Sequence, residues 1–128
     1  MTPTDAIADD ELILRHIPGG TTFQKPDGSI ASPNFRLRPG EDGISVSRLA
    51  ITSPEAVMAR LGDPEIGSRI AVARAGDIRA LGFEVVPDPK DYDSGHAELR
   101  PTTADASAKQ TQKALALLFR YVSSDEVP

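Results

Sequence analysis

The stretch Leu12-Ile13-Leu14-Arg15-His16-Ile17 is apolar except for two adjacent polar side chains. Alternate residues of a strand point to opposite faces, so Arg15 shares a face with Ile13 and Ile17, and His16 shares the other with Leu12 and Leu14. A guanidinium removed from water requires a carboxylate or a bound anion to offset its desolvation. Arg15 therefore reads either as a structural residue, salt-bridged internally or snorkelling to the strand end, or as a contact to a ligand. A second cluster runs Ser29-Ile30-Ala31-Ser32-Pro33-Asn34-Phe35-Arg36, with Arg38 close behind and Ser45 nine residues after Arg36. Hydroxyls and backbone N–H groups of irregular loops can wrap a phosphate or a nucleotide, with Arg36 or Arg38 supplying the charge, although Ser, Pro and Asn are also what any turn uses. The third group, His96, Glu98 and Arg100, alternates onto one face of a short strand. It forms either a general acid/base set tuned by the Arg100 charge or the solvated face of an edge strand.

His16 and His96 are the only histidines and cysteine is absent, which excludes thiolate nucleophiles, disulfides and Cys-based zinc sites. A mixed metal site would need His96 with Glu98 or Asp93 and a distant partner, so neither a metal nor a cofactor is expected. No Walker loop, dinucleotide fingerprint, GxSxG elbow or HExxH occurs. The net charge of −5 disfavours general nucleic-acid binding, which needs a positive field to neutralise phosphates. Arg36, Arg38 and Arg48 nevertheless fall close together and admit a local anion site. The residue types point to an anion-binding rim of Arg15, Arg36, Ser45 and His96.

These side chains must be positioned by one core, because 128 residues is the usual size of a single domain. With four Phe, two Tyr and no Trp, that core has to be mostly aliphatic. The longest apolar run, Ala114 to Phe119, is far short of the roughly 20 residues that cross a bilayer, and no signal-like segment opens the chain, so a cytoplasmic protein without membrane contact is expected. Residues 1–10, with Asp5, Asp9 and Asp10, read as a flexible acidic arm, and residues 11–128 as the domain.

Glu11–Ile17 has apolar residues on both faces, which predicts a strand covered on both sides. Residues 18–42 are rich in Gly, Pro and Asp and hold at most a short irregular strand over 29–37. The alternation of Gly43–Ile51 predicts a strand. Ser53 as N-cap with Pro54 at the first helical position, or alternatively a capping box of Thr52 and Glu55, starts a helix carrying Val57, Met58 and Leu61, which ends at Gly62 and Pro64. Short strands follow at 69–75, 83–86 and 96–100, with one helical turn capped by Asp77 between the first two. From 102 to 124 the spacing of Ala104, Ala108, Thr111, Leu115, Leu118 and Val122 predicts a long C-terminal helix whose Leu117/Tyr121 side is a candidate protein-binding patch. The fold class is α+β: a mixed, mostly antiparallel sheet of about five strands with a central helix and that long terminal one.

Leu14-Arg15-His16-Ile17-Pro18, Ser29 through Phe35, Glu41-Asp42-Gly43-Ile44-Ser45-Val46 and Val85-Val86-Pro87-Asp88-Pro89 ahead of Gly95-His96-Ala97 together resemble a group of short, uncharacterised bacterial proteins. The resemblance covers about residues 12–100 and marks Arg15, Ser32, Phe35, Ser45 and His96. It departs at Ala31-Ser32-Pro33, where the group is closer to Ser-Ser-Ala, and in the added C-terminal helix. The same order of strands also resembles ADP-ribosyltransferase-like folds, including RNA 2′-phosphotransferases. That resemblance implies Arg15 or His16 on cofactor phosphates or ribose, Ser45 on the nicotinamide side and Glu98 as the catalytic carboxylate. The expected ligand-binding set is thus Arg15, Ser32, Arg36, Ser45 and His96. The leading expectation is a binding or accessory module with an anion- or nucleotide-binding rim. Its alternatives are an NAD- or RNA 2′-phosphate-using enzyme built on Arg15, Ser45 and Glu98, and a protein-interaction domain acting through the terminal helix.

Overall fold

The computed structural model describes residues 1–61, 67–103 and 109–122. Among them six strands make one fully antiparallel sheet: β1 (Leu12–Ile17), β2 (Ile44–Arg48), β3 (Arg69–Arg74), β4 (Phe83–Pro87), β5 (His96–Pro101) and β6 (Arg120–Tyr121), in the order β4-β5-β2-β1-β3-β6. Three helices, α1 (Pro54–Leu61), α2 (Ala75–Ala80) and α3 (Lys109–Leu118), and a 3-10 turn at Ser32–Phe35 complete the single α+β domain. No helix among the described residues is long and apolar enough to cross a membrane.

β1 lies between β2 and β3 and is covered on both faces, as its doubly apolar pattern requires. One face gives Ile13 and Ile17 to the main core, which holds Ala71, Val46, Leu99 and Val85 from the sheet and Ile78, Leu115 and Phe119 from the helical side. The 3-10 turn joins this core through Phe35, whose ring meets that of Phe119 at 4.9 Å between centroids. The other face carries a smaller cluster of Leu14, Val57, Ile70 and Val72 under α1. Ser53 caps α1 by accepting the Ala56 N–H at 3.1 Å, with Pro54 at the first helical position where no N–H is needed.

The two sides of β1 are paired unequally. With β3 the register runs along the whole strand, from Leu12↔Arg74 to Ile17↔Arg69, whereas with β2 it comprises only Ile13↔Arg48 and Leu14↔Ser47. Beyond Leu14 and Ser47 the two strands part, and their facing backbone groups need other partners.

Several expectations change. The sheet has six strands rather than five, because the chain after α3 returns to the free edge of β3 instead of extending the helix to 124. Ala71↔Tyr121 and Val72↔Arg120 pair, and the Val122 N–H donates to the Ile70 carbonyl at 2.9 Å. Tyr121 packs on the main core and Val122 on the smaller cluster, an alternation of period two that the helical spacing concealed. Residues 102–103 precede α3 without being helical, and Ala104, Ala108 and residues 123–124 of that expectation lie outside the described residues, as do Gly62 and Pro64. Within segment 29–37, Ile30 makes an isolated antiparallel bridge to Gln24 and Ser32–Phe35 form the 3-10 turn, since Pro33 favours a turn start and cannot donate to a ladder. α2 begins at Ala75, which places Asp77 inside its first turn rather than at its cap.

Residues 1–10, expected as a flexible arm, lie against the domain. Ile7 is buried, Arg79 donates to the Ile7 carbonyl at 2.6 Å and to Asp9 at 2.7 Å, and Arg48 donates to the carbonyls of Pro3 and Asp5. Arg48 itself is fully buried and ion-paired with Glu11 at 2.6 Å, which removes it from any surface anion site.

Candidate functional site

The gap between β1 and β2 is filled by Arg15. Its Nε and Nη2 donate to the Asn34 carbonyl at 3.2 and 2.8 Å, and its Nη1 donates to the Ser45 carbonyl at 2.8 Å. The guanidinium thus stands in for the missing ladder between the strands. Asn34 presents its carbonyl because its own amide is fixed, donating to the carbonyls of Phe23 (2.7 Å) and Ala31 (2.9 Å). Of the five guanidinium N–H groups, these contacts use three. No carboxylate among the described residues forms an ion pair with Arg15. Burial, reinforced by the Arg38 charge and opposed by Glu41, pulls its pKa down to about 10, so at neutral pH it remains a cation short of compensation.

A cleft of about 760 Å³ opens over this gap. Its floor is the sheet, with Leu14, His16, Ser45, Ser47 and His96. One wall is the 22–41 segment, with Phe23, Asn34, Arg36, Arg38 and Glu41, and the other is the end of α1, with Val57, Arg60 and Leu61, joined by Tyr92. Four arginines therefore meet a single carboxylate in the lining, in a protein of net charge −5. Arg36 is exposed and has no ion-pair partner among the described residues, Arg38 is 3.9 Å from Glu41, and Arg60 pairs with Asp93 at 3.3 Å.

Asp93 is buried and fastens the loop between β4 and β5 to the floor. It accepts from Ser47 Oγ at 2.7 Å and from the Gly95 N–H at 2.9 Å. His96 Nδ1 lies 2.9 Å from the Asp88 carbonyl and 3.3 Å from its carboxylate. Because a carbonyl only accepts, this contact places the proton on Nδ1 and leaves Nε2 without a partner among the described residues. Tyr92 stands edge-on to His96 at 6.3 Å, and the Arg60 guanidinium lies over its ring at 5.0 Å. His16 also borders the cleft. Its Nε2 is buried with no hydrogen bond to any of the described residues, and burial together with the charges of Arg15 and Arg60 pushes its pKa below the ordinary imidazole value.

Of the sequence-derived positions, Arg15, Arg36, Ser45 and His96 border this one cleft. Ser32 begins the 3-10 turn and is not part of the lining, and Phe35 is a core residue. Glu98 pairs with Ser45 across β2 and β5, but it is absent from the lining. Its carboxylate lies over Gly43, where a Cβ would come within 2.7 Å of Oε2, and 3.4 Å from Arg100 Nε. Glu98 contacts Arg100 directly, while His96 turns to Asp88, a carboxylate that interacts with both His96 and Glu98. Leu117 is exposed on α3, but Tyr121 belongs to β6, so the two do not make a helical patch. Arg60, Tyr92, Ser47 and Glu41 enter the site unannounced by any local pattern, because chain segments remote in sequence carry them there. Compared with family models, with curated proteins and with solved structures, the chain finds no match in any of the three.

Proposed function

We propose that this domain is a cytoplasmic binding or accessory module whose cleft takes a small anionic ligand, a phosphate or a phosphorylated compound of nucleotide size. The observation that carries this reading is Arg15: a half-buried guanidinium held, among the described residues, by backbone carbonyls, in a cleft lined by three further arginines and one carboxylate. An anion there gains charge-assisted hydrogen bonds and relieves the repulsion among the cations. The cleft volume of about 760 Å³ falls in the ordinary range of small-molecule sites and exceeds what a bare phosphate fills. The alternative of an ADP-ribosyltransferase-like enzyme needs Arg15, Ser45 and Glu98 in one cleft, and the turn of Glu98 toward Arg100 favours the binding reading over it.

Isothermal titration with inorganic phosphate and with nucleoside monophosphates tests the proposal. Arg36→Ala, at an exposed position, is expected to keep the fold and to weaken binding about tenfold, the effect of one charge-assisted contact. Absence of binding to the wild-type chain, or equal affinity in the variant, would overturn it.

A further inference from the structure

We propose that His16 is a ligand-binding residue of the cleft, which engages a tetrahedral oxyanion as an imidazolium, so that anion and proton are taken up together. This rests on the anion-binding reading of the same site and adds a residue and a chemistry to it. His16 lines the cleft next to Arg15, and its Nε2 is buried without a hydrogen-bond partner. A buried ring nitrogen left unpaired costs free energy, and here no protein group among those described supplies its partner. The β3 residue opposite His16 is Ile70, which offers no side-chain polar group, and on the other side β2 has already parted from β1.

The charged groups acting on His16 are Arg15 from its own strand and Arg60 from α1, and both oppose its protonation. The remaining titratable and charged groups of the lining are Arg36, Arg38 and Glu41 from the segment before β2, Tyr92 from the β4–β5 loop and His96 from β5. In the free protein burial and cations therefore disfavour the imidazolium. An oxyanion held by Arg15 and Arg36 reverses both conditions. It offsets the arginine charge, and it offers an acceptor oxygen to an imidazolium N–H. Linkage then requires that what the anion does for the proton, the proton does for the anion. The ligand class is an oxyanion with at least three free oxygens, as in a phosphate monoester or sulfate, two toward the guanidinium groups and one toward the imidazole.

Sulfate is the appropriate probe, since its charge does not change between pH 5.5 and 8 and any pH dependence comes from the protein. Titration calorimetry of the full chain is expected to show sulfate affinity rising about fivefold from pH 8 to pH 5.5, which corresponds to a ring pKa about one unit higher in the complex. In His16→Gln this rise disappears, whereas in His96→Gln it persists. On the wild-type chain, an NMR titration of the His16 ring is expected to show its midpoint moving upward when sulfate is added, a readout that needs no variant. Sulfate binding with a flat pH profile, an unmoved His16 midpoint, or a rise abolished by His96→Gln instead would overturn the assignment of His16 while leaving the anion site standing. No sulfate binding at any pH, with Arg36→Ala indistinguishable from wild type, would overturn the anion reading itself.

Discussion

Arg48 and Arg15 lie on the same face of neighbouring strands, one pairing step apart, and the protein treats them in opposite ways. Arg48 sits where β1 and β2 are still paired, opposite Ile13, and is fully buried. Its guanidinium meets the Glu11 carboxylate through Nε at 2.6 Å and Nη2 at 3.1 Å, and further N–H groups reach the carbonyls of Pro3 and Asp5. Arg15 sits where the strands have parted and, among the described residues, meets carbonyl oxygens only. The same side chain on the same sheet face is thus an internal fastening in one case and an uncompensated cation under a cleft in the other. Backbone pairing decides which: a closed ladder permits a sealed ion pair, and an open one leaves room for a ligand.

The largest expected effect comes from making Arg48 resemble Arg15. Glu11→Ala leaves a fully buried guanidinium without its carboxylate partner. A loss of about 3–5 kcal/mol is expected in urea denaturation, the usual cost of stranding one member of a buried pair. An intact midpoint would mean that the carbonyls of Pro3 and Asp5 suffice, and the contrast between the two arginines would collapse.

The reciprocal change is Arg15→Met, which keeps length and apolar packing but withdraws the donor from the carbonyls of Asn34 and Ser45. It is expected to lower stability by about 1–3 kcal/mol, less than Glu11→Ala because no unpaired charge is left behind. The same variant should lose phosphate affinity at least tenfold. Stability unchanged together with affinity unchanged would show that the guanidinium serves neither the gap nor the ligand.

How far these two roles can be read from the sequence differs for physical reasons. The alternation of Leu12, Leu14 and His16 against Ile13, Arg15 and Ile17 is local, and the strand forms as that pattern requires. Ser53-Pro54 is likewise a local start signal, and α1 begins there. What decides between Arg15 and Arg48 is not local. The partner of Arg48 lies 37 positions away in sequence, and nothing in residues 14–18 or 44–47 announces where two strands cease to pair. Ile7, the one branched aliphatic residue among positions 1–10, gives no periodic pattern from which its burial against the core could be inferred. At the other end of the chain, Leu115, Leu118 and Val122 fit a helical period, yet Tyr121 and Val122 join clusters on opposite faces of the sheet. The free edge of β3 offered unpaired backbone groups, and satisfying them outweighed continuing the helix.

The paired end of the gap has its own fastening in Ser47, whose hydroxyl donates to the buried Asp93 at 2.7 Å. Ser47→Ala removes one hydrogen bond from a carboxylate that retains Arg60 and the Gly95 N–H. A destabilisation of about 1 kcal/mol is expected by thermal or urea unfolding. A loss as large as that of Glu11→Ala would instead place the main fastening of the sheet at Asp93 rather than at Arg48.

The smallest effect, and the one that most directly reports on the open end, is the pH dependence contributed by His16. Its folded pKa lies below the ordinary imidazole value, held down by burial, Arg15 and Arg60. The unfolded chain then binds the proton more readily, so stability contributed by the neutral ring is present above about pH 6.5 and is lost as pH falls through that value toward the folded pKa. His16→Gln should remove this component, seen as a shallower fall of the urea midpoint between pH 7.5 and 5.5. Saturating sulfate should act in the opposite sense on the wild-type chain, because an anion beside the ring turns its protonation from a cost into a gain. A slope unaffected by both the substitution and the anion would mean that His16 senses neither the arginines nor the cleft, and the open end of β1 would then be only an imperfectly closed version of the paired one.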